Sequence, residues 1–358
     1  MTKQFLTILL LSVVLSKFAN AQEDNTQQAN DSVITINLMP SQEGEIAYNS
    51  GIEKLKIGDY TTAISFFDEA LKHKPGWALA HFNRGLAYKE TQKYTEAIDD
   101  LKKCTNPEDS IKDVYYYLGQ IYVLQKNDQE AIDNYSKSIQ LNESAAQAYY
   151  YRANIYFNQS KYKEANDDFT QAIKLKPDYT YAYNDRGSTK RQMEDYDGAI
   201  ADYKKAIELD SKLVLVYNNL GSALRKKGDF KGAIEAYTKA ITSQPDNFVA
   251  YNNRGSAKID SEDFNGAIED FNAALKIKND YAFAYNNRAV AKYKLKDYAG
   301  SVDDATKAIK FDANYGLAFM NRGIAKEMLR DPKGACFDWK KAKELGIETA
   351  GKYIGDCK

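Results

Sequence analysis

Apolar and small residues recur along this chain with a period of 34 residues. The clearest copy begins at Tyr251 with Tyr-Asn-Asn-Arg-Gly and continues with Ala267-Ile268. In each copy, apolar residues at helical spacing form two runs separated by a short polar turn, which predicts two helices, A and B. The chain contains nine such copies in succession, without insertion or deletion between them. The small residue that stands where Gly255 stands in the copy above is Gly51, Gly85, Gly119, Ala153, Gly187, Gly221, Gly255, Ala289 and Gly323 in turn.

The seventh copy shows how the two helices are expected to pack. Counting positions 1 to 34 in each repeat places Gly255 at position 8 and Ala267 at position 20, where small side chains allow helix A and helix B to approach closely. Phe271 at position 24 fills the space between neighbouring layers. Helix A is predicted from 248 to about 258 and helix B from 263 to about 277, and Pro245 separates this repeat from the preceding one.

The repeats resemble the tetratricopeptide repeat (TPR) in their period, in the aromatic–x–x–x–Gly of helix A and in the Ala–x–x–x–Phe/Tyr of helix B. The resemblance covers residues 44–349. It implies an all-α fold, a right-handed α-solenoid of nine 34-residue helix-turn-helix units whose A helices line a concave groove. It also implies an interaction scaffold, since TPR proteins as a family hold other proteins.

The first residues predict export. Lys3 precedes an apolar stretch from Phe5 to Leu15, and Ala19-Asn20-Ala21 matches a small-x-small cleavage site. We expect a signal peptide at 1–21, cleaved after Ala21, a flexible leader at 22–43, nine TPR units at 44–349 and a C-terminal capping helix at 347–358. The mature protein is expected in the periplasm or secreted, without a transmembrane span.

Charge and composition point away from several classes of function. The chain carries 49 basic and 50 acidic residues, so it lacks the basic excess of a nucleic-acid-binding protein. Its two histidines, His73 and His81, offer little for catalysis or zinc binding. We therefore expect no enzymatic activity, no cofactor and no metal site.

Arginine at position 7 and aspartate at position 23 occur together. The three repeats that lack the arginine have Ser50, Leu118 and Leu220 there, and they lack the aspartate as well. This covariation predicts an ion pair between helix A and helix B of one repeat, because a partly buried guanidinium needs a fixed carboxylate. Binding of an anionic ligand by the arginines is the alternative. The predicted pairs are Arg84–Asp100, Arg152–Asp168, Arg186–Asp202, Arg254–Asp270, Arg288–Asp304 and Arg322–Asp338.

Positions 2, 6, 9 and 13 share one side of helix A, which lines the groove in TPR proteins. Asparagine predominates at position 6, and the row resembles the asparagine ladder with which TPR superhelices grip peptide backbones. Position 5 is aromatic in repeats 1 to 4 and asparagine in repeats 5 to 8. The predicted peptide-binding residues are Asn83, Asn219, Asn252, Asn253, Asn286, Asn287, Asn321, Tyr116, Tyr150 and Tyr151.

The tyrosines leave two alternatives open. Repeats 3 and 4 each carry three consecutive tyrosines, at 115–117 and 149–151, and three neighbours on a helix cannot all face the core. An aromatic N-terminal half of the groove would suit side-chain anchors or the faces of sugars, which makes a cell-wall or polysaccharide-binding module the alternative function. Packing of these rings between repeats is the simpler interpretation.

The three cysteines are assigned different roles. Cys104 occupies position 27, a small buried position, and is expected to be an inert core thiol. Cys336 and Cys357 lie symmetrically about the turn at Gly346, so folding the hairpin there brings their sulfurs level and predicts a disulfide; reduced thiols or a metal site are the alternatives. This ending also resembles that of exported TPR proteins of the Bacteroidetes.

The sequence as a whole predicts a non-enzymatic TPR scaffold or adaptor of the cell envelope or exterior. Its expected partners are extended peptides or protein segments, among them components of envelope assemblies, and not nucleic acid.

Overall fold

The computed structural model describes residues 42–105, 111, 113–142, 145–355 and 357. The predicted signal peptide and the leader up to residue 41 lie outside the described residues. Contacts divide the chain into two compact units, which we call the N-terminal stack (up to Lys176) and the C-terminal stack (from Pro177).

The described residues form α-helices and one short 3-10 helix, and no strand occurs among them. The N-terminal stack contains α1 (Gln42–Lys56), α2 (Tyr60–His73), α3 (Ala78–Glu90), α4 (Tyr94–Lys103), α5 (Val114–Leu124), α6 (Asp128–Leu141), α7 (Ala146–Asn158) and α8 (Tyr162–Leu175). The C-terminal stack contains α9 (Thr180–Gln192), α10 (Tyr196–Leu209), α11 (Val214–Lys227), α12 (Phe230–Ser243), α13 (Phe248–Asp260), α14 (Phe264–Ile277), α15 (Ala282–Lys294), α16 (Tyr298–Phe311), α17 (Gly316–Met328), α18 (Pro332–Glu344) and α19 (Gly351–Ile354).

Odd-numbered helices up to α17 are the A helices of repeats 1 to 9, and even-numbered helices are the B helices. Within each stack, helix A packs on its own helix B, and helix B packs on helix A of the next repeat. The predicted all-α solenoid of helix pairs is therefore confirmed within each stack.

Short turns join helix A to helix B and begin the second helix. In repeat 7 the Asp263 side chain accepts a hydrogen bond from the Gly266 amide at 2.9 Å, which caps the N-terminus of α14. Glu262, just before it, adopts φ 65°, and six other non-glycine residues at the equivalent turns also have positive φ. At these turns the backbone therefore adopts the left-handed region even at residues other than glycine.

The small residues permit the close helix contact that the sequence predicts. A Cβ atom added to Gly255 would lie 2.7 Å from Cε1 of Phe271, a distance that side chains do not tolerate. Ala267, Phe271 and Ala274 are fully buried. The core of repeat 7 is thus a large ring enclosed by glycine and alanine.

Each of the six arginines at position 7 makes a two-pronged contact with the aspartate sixteen residues later. Arg254 donates from Nε to Asp270 Oδ2 at 2.9 Å and from Nη2 to Asp270 Oδ1 at 2.6 Å. Asp270 is 4% exposed and Arg254 18% exposed. The same pairing joins Arg84 to Asp100, Arg152 to Asp168, Arg186 to Asp202, Arg288 to Asp304 and Arg322 to Asp338.

The arginines also reach the preceding repeat. In repeat 7, Arg254 Nη1 donates to Thr238 Oγ1 at 3.0 Å, so one guanidinium bridges α12, α13 and α14. Lys258, one turn after Arg254, adds a second cation 3.0 Å from Asp270. Equivalent bonds to the preceding helix B run from Arg84 to Asp68, from Arg152 to Ser136, from Arg288 to Asn272 and from Arg322 to Thr306.

Repeat 2 adds a histidine to this network. Asp100 accepts hydrogen bonds from Arg84 and from His81 Nδ1, at 2.9 Å in the latter case, while His81 Nε2 lies 2.8 Å from the Pro75 carbonyl oxygen. Burial by itself would raise the pKa of Asp100, but these donors outweigh burial and hold the pKa below its ordinary value. The stabilisation is therefore present above the unfolded-state pKa of about 3.9 and is lost as pH falls through the lower folded-state pKa.

We predict that Asp270→Ala lowers the free energy of unfolding by about 3 kcal/mol, since it leaves Arg254 and Lys258 without their carboxylate. Urea denaturation followed by circular dichroism measures the change. An unchanged midpoint would show that the pair does not stabilise the fold.

Repeat 6 supplies a matched control, because it has Leu220, Leu224 and Ala236 at the positions of Arg254, Lys258 and Asp270. The triple variant Arg254→Leu, Lys258→Leu, Asp270→Ala introduces the apolar residues of repeat 6 into repeat 7. We expect it to regain most of the stability that Asp270→Ala loses, since apolar residues often replace a buried ion pair at little cost.

The segment after Gly346 is a 3-10 turn (Glu348–Ala350) followed by α19, and it packs on the last repeat. It is in register with helix A of a further repeat: Tyr353 stands 34 residues after Phe319, and its ring lies 5.0 Å from that of Trp339. The structure pairs the sulfurs of Cys336 and Cys357, with their Cα atoms 5.6 Å apart.

Cys104 differs from these two cysteines. It is buried, its thiol lies 3.2 Å from the Ala78 carbonyl oxygen, and burial raises the pKa of the thiol to about 12. Such a thiol stays protonated and unreactive in the folded protein.

Thiol labelling of unfolded, unreduced protein is expected to modify Cys104 alone. Reduction before unfolding should lower the free energy of unfolding by about 3 kcal/mol, as expected for opening a loop of roughly twenty residues. Labelling of three cysteines without reductant would contradict the pairing.

Candidate functional site

Asparagine side chains on successive A helices of the C-terminal stack hydrogen-bond to one another. Each bond runs from Nδ2 at position 6 to Oδ1 at position 5 of the preceding repeat, a separation of 35 residues. The bonds are Asn219 to Asn184 at 2.9 Å, Asn287 to Asn252 at 3.0 Å and Asn321 to Asn286 at 2.8 Å. We call the position-5 and position-6 asparagines of repeats 5 to 9 the amide ladder: Asn184, Asn218, Asn219, Asn252, Asn253, Asn286, Asn287 and Asn321.

The two rows of the ladder differ in burial and role. Asn184, Asn252 and Asn286 at position 5 are buried and accept the bonds between repeats. Within repeat 5, Asn184 also donates to the neighbouring Asp185 carboxylate at 2.8 Å. In repeats 7 and 8, Asn252 and Asn286 donate to Asn253 and Asn287 more weakly, at 3.5 Å.

The asparagines at position 6 form the outer row and are partly exposed: Asn219, Asn253, Asn287 and Asn321. The predicted binding residues Asn252 and Asn286 thus lie beneath this row. Their side chains orient it rather than face solvent.

The N-terminal stack makes the contact between positions 5 and 6 with different chemistry. Asn83 Nδ2 donates to Tyr48 Oη at 2.9 Å and to the Leu79 carbonyl oxygen at 3.0 Å. Burial raises the pKa of Tyr48 to about 12, although the Asn83 bond acts in the opposite direction. At the next junction rings replace the hydrogen bond, with Phe82 and Tyr117 edge to face at 5.6 Å.

The predicted tyrosine anchors are part of this ring packing. Tyr116 and Tyr150 are buried, and Tyr151 is partly exposed. The ring of Tyr151 lies 6.0 Å from that of Tyr116 and is stacked at 6.1 Å on Tyr135. These contacts favour the packing interpretation of the tyrosines over a ligand-facing one.

Sequence reasoning on its own missed the 35-residue contact. The signal was nevertheless present: at that separation asparagine meets asparagine in repeats 5 to 9 and ring meets ring in repeats 2 to 4, as in Asn252 with Asn287 and Tyr116 with Tyr151. A comparison at the 34-residue period aligns equivalent residues of successive repeats, whereas the residues in contact are 35 positions apart.

The outer row keeps hydrogen-bonding capacity after the ladder is made. An asparagine carboxamide has two N–H donors and an oxygen with two acceptor sites. Among the described contacts, Asn321 uses one N–H in the ladder and accepts no bond on Oδ1. Phe283 and Leu317, four residues before Asn287 and Asn321 on the same side of their helices, are 36% and 47% exposed. Oriented amides and exposed apolar side chains therefore lie side by side.

Models of the tetratricopeptide repeat match residues 48–104, 119–160, 146–179, 187–228, 214–247 and 255–296. Together these matches cover more than half of the chain, which belongs to the tetratricopeptide repeat family. No curated protein matches the chain significantly.

Solved structures share the fold. The C-terminal part of a TPR repeat-containing protein from Cytophaga hutchinsonii is 20% identical, with 67% of this chain and 99% of that one covered and a TM-score of 0.53. The APC/C hetero-tetramer Cut9–Hcn1 is 15% identical, with 88% of this chain and 76% of that one covered and a TM-score of 0.52. YrrB, described as a TPR protein with an unusual peptide-binding site, is 21% identical over 51% of this chain and 95% of its own, with a TM-score of 0.43.

None of the described helices has the length and apolar character needed to cross a membrane. No group of three or more His, Cys, Asp or Glu side chains is placed to bind a metal ion in the described part of the chain.

A double-mutant cycle on Asn286 and Asn321 is expected to give a coupling energy of about 1 kcal/mol, because each alanine removes the same inter-repeat bond. Urea denaturation of the two single variants and the double variant supplies the four free energies. A parallel cycle between Asn321 and Asn265, which is exposed on α14, should give no coupling. Coupling of zero in the first cycle would contradict the ladder.

Proposed function

We propose that this chain is a non-enzymatic scaffold that holds an extended peptide or protein segment along the A helices of its C-terminal stack. The observation that carries the proposal is the amide ladder, which fixes the orientation of the outer asparagines and leaves each with donors or an acceptor to offer. A row of oriented carboxamides suits a peptide backbone, whose N–H and C=O groups need partners whatever the side chains are.

Repeat spacing is compatible with such a ligand. Packed helices lie about 8–10 Å apart, and an extended strand advances about 3.3 Å per residue. Each outer asparagine would then meet the backbone about once every three residues. Phe283 and Leu317 would contact apolar side chains of the same segment.

The other binding interpretation has less support. A polysaccharide-binding surface would need exposed tyrosine rings, whereas Tyr116 and Tyr150 are buried among neighbouring rings. The proposal of a non-catalytic role draws on the family models, which are all of repeats. We therefore propose proteins and extended peptides as the partners, without a cofactor.

We further propose that the scaffold acts outside the cytoplasm, in the envelope or beyond it. The support is the n-region, apolar stretch and cleavage site within residues 1–21, together with the paired Cys336 and Cys357, since disulfides persist in oxidising compartments. A mature N-terminus at Gln22, measured by mass spectrometry of protein from its source cells, is the expected result.

The double variant Asn253→Ala, Asn287→Ala is expected to lose most of the partner that the wild-type chain captures in a pulldown from the source cells. Cross-linking and mass spectrometry would identify that partner. The double variant Asn265→Ala, Asn279→Ala changes two exposed asparagines elsewhere in repeat 7 and its following turn, and it should capture the partner normally. Undiminished capture by the first variant would remove the backbone-binding role.

A further inference from the structure

The last turns of the A helices of repeats 6 and 7 carry a second inter-repeat contact, this one between charged residues. Arg225, at position 12 of repeat 6, donates from Nε to Asp260 Oδ2 at 2.5 Å. Asp260 stands at position 13 of repeat 7, so the separation of 35 residues is the same as in the amide ladder. Position 12 of one helix A therefore reaches position 13 of the next.

The junction between repeats 5 and 6 places two cations in this register. Position 12 of repeat 5 is Arg191, and position 13 of repeat 6 is Lys226. Arg191 Nε is shielded from solvent and has no hydrogen-bond partner among the described residues. Neither side chain forms an ion pair within the described chain, although the adjacent Lys190 and Lys227 both do. This junction therefore carries positive charge without a carboxylate of its own.

The two arginines lie near the same phenol, which shows that their charges share one region of the C-terminal stack. Burial raises the pKa of Tyr237 to about 12, and the charges of Arg225 and Arg191 both act in the opposite direction, as does a hydrogen bond with Ser222. Lys226 adds a third cation and is exposed. It lies two turns after Asn219 on the same side of α11, so the cations border the outer row of the amide ladder.

The double cation is particular to this junction. At the other junctions within the two stacks, the same two positions hold an ion pair or at most one charged residue. Apart from Arg225 with Asp260, they hold Leu55 with Glu90, Lys89 with Leu124, Val123 with Asn158, Ile259 with Lys294, and Tyr293 with Met328. Two like charges on facing positions repel each other, and an anion between them would offset that repulsion.

The following repeat shows which anion fits this place. Asp260 gives Arg225 a carboxylate, and a guanidinium matches a carboxylate with two parallel N–H donors. At Arg191 the chain supplies a lysine where that aspartate would stand. A carboxylate from a bound segment would therefore make the contact with Arg191 that Asp260 makes one repeat later, and the Lys226 ammonium would donate to the same group.

We propose that Arg191 and Lys226 form a carboxylate-binding site between repeats 5 and 6, which receives an Asp or Glu side chain or the C-terminal carboxylate of the bound segment. This inference rests on the proposed function and adds the class of peptide that the C-terminal stack selects. The outer asparagines contact a backbone whatever its sequence, whereas this site requires an acid at one place along the segment.

The test begins with peptides selected on the immobilised full-length wild-type chain from a random library displayed with free C-termini. Synthetic copies of the selected peptides are compared with copies in which one carboxylate is replaced by its amide. We expect one such replacement to weaken binding to the wild-type chain roughly tenfold. Amidation of the C-terminus forms one arm and replacement of each acidic side chain forms the other, which distinguishes a terminal carboxylate from a side-chain carboxylate.

Arg191→Gln tests whether this arginine holds the carboxylate. In this variant the same amide replacement is expected to change the affinity less than about twofold, because the carboxylate and the arginine act as a pair. Lys239→Gln is the matched control, since Lys239 is an exposed cation on α12 of repeat 6. It should keep the full difference between acid and amide.

Lys226→Asp separates binding from stability. It places a carboxylate of the chain at Arg191, as Asp260 stands at Arg225, so the urea midpoint is expected to rise while acidic peptides bind more than about tenfold more weakly. An aspartate near the C-terminal end of α11 opposes the helix dipole, so a higher midpoint must come from the new pair. Lys239→Asp makes the same change in net charge and should alter neither quantity.

Three results would overturn the inference: a midpoint of Lys226→Asp at or below that of the wild-type chain, selected peptides that no carboxylate replacement weakens, or a difference between acid and amide that Arg191→Gln leaves unchanged. The proposed function stands in these cases if the peptides still depend on Asn253 and Asn287. Failure of the wild-type chain to select any peptide would overturn the proposed function, and the inference with it.

Discussion

Within each stack, neighbouring A helices meet at position 5 of one repeat and position 6 of the next. Helix pairs of this kind bury too little surface to stand alone, so the contact between neighbours must recur in every repeat. It is also the contact that borders the surface available to a ligand. Where the two residues are rings, as in Tyr116 and Tyr151, their surface is used in packing. Where they are asparagines, as in Asn252 and Asn287, the position-5 side chain is buried and the position-6 side chain stays partly exposed.

The charged network sets the second constraint. An arginine such as Arg254 joins its own aspartate and the helix B before it, so one side chain ties together three helices. Within each stack, the residue that receives the third bond is a polar acceptor: Asp68, Ser136, Thr238, Asn272 or Thr306. Lys102 and Lys204 occupy that place before Leu118 and Leu220, where no arginine follows. The charge pattern therefore belongs to the packing of helices within each stack.

Much of the fold could be predicted because its signals are local or periodic. The 34-residue period located both helices of each repeat, and the joint presence of Arg and Asp identified which charged groups face each other. The roles of the asparagines could not be assigned in the same way. A residue such as Asn286 is buried or exposed according to a contact with the following repeat, and helical spacing within one repeat does not specify that contact.

The C-terminal segment shows the same limit. The positions of Cys336 and Cys357 about Gly346 predicted the pairing, but the segment takes the register of a further helix A, with Tyr353 in the place of the aromatic at position 4. Folding the hairpin about Gly346 does not predict that register, because the register comes from packing on Trp339.

The most direct test of the account is the temperature dependence of the asparagine carboxamide proton shifts, measured by NMR on the selectively labelled chain. A hydrogen-bonded N–H changes its chemical shift less with temperature than a solvated one. The account predicts one weakly dependent and one strongly dependent proton on each of Asn219 and Asn321, which donate one ladder bond each. Strong dependence of both protons on both residues would show that the ladder is not formed, and the proposed orientation of the binding row would fail with it.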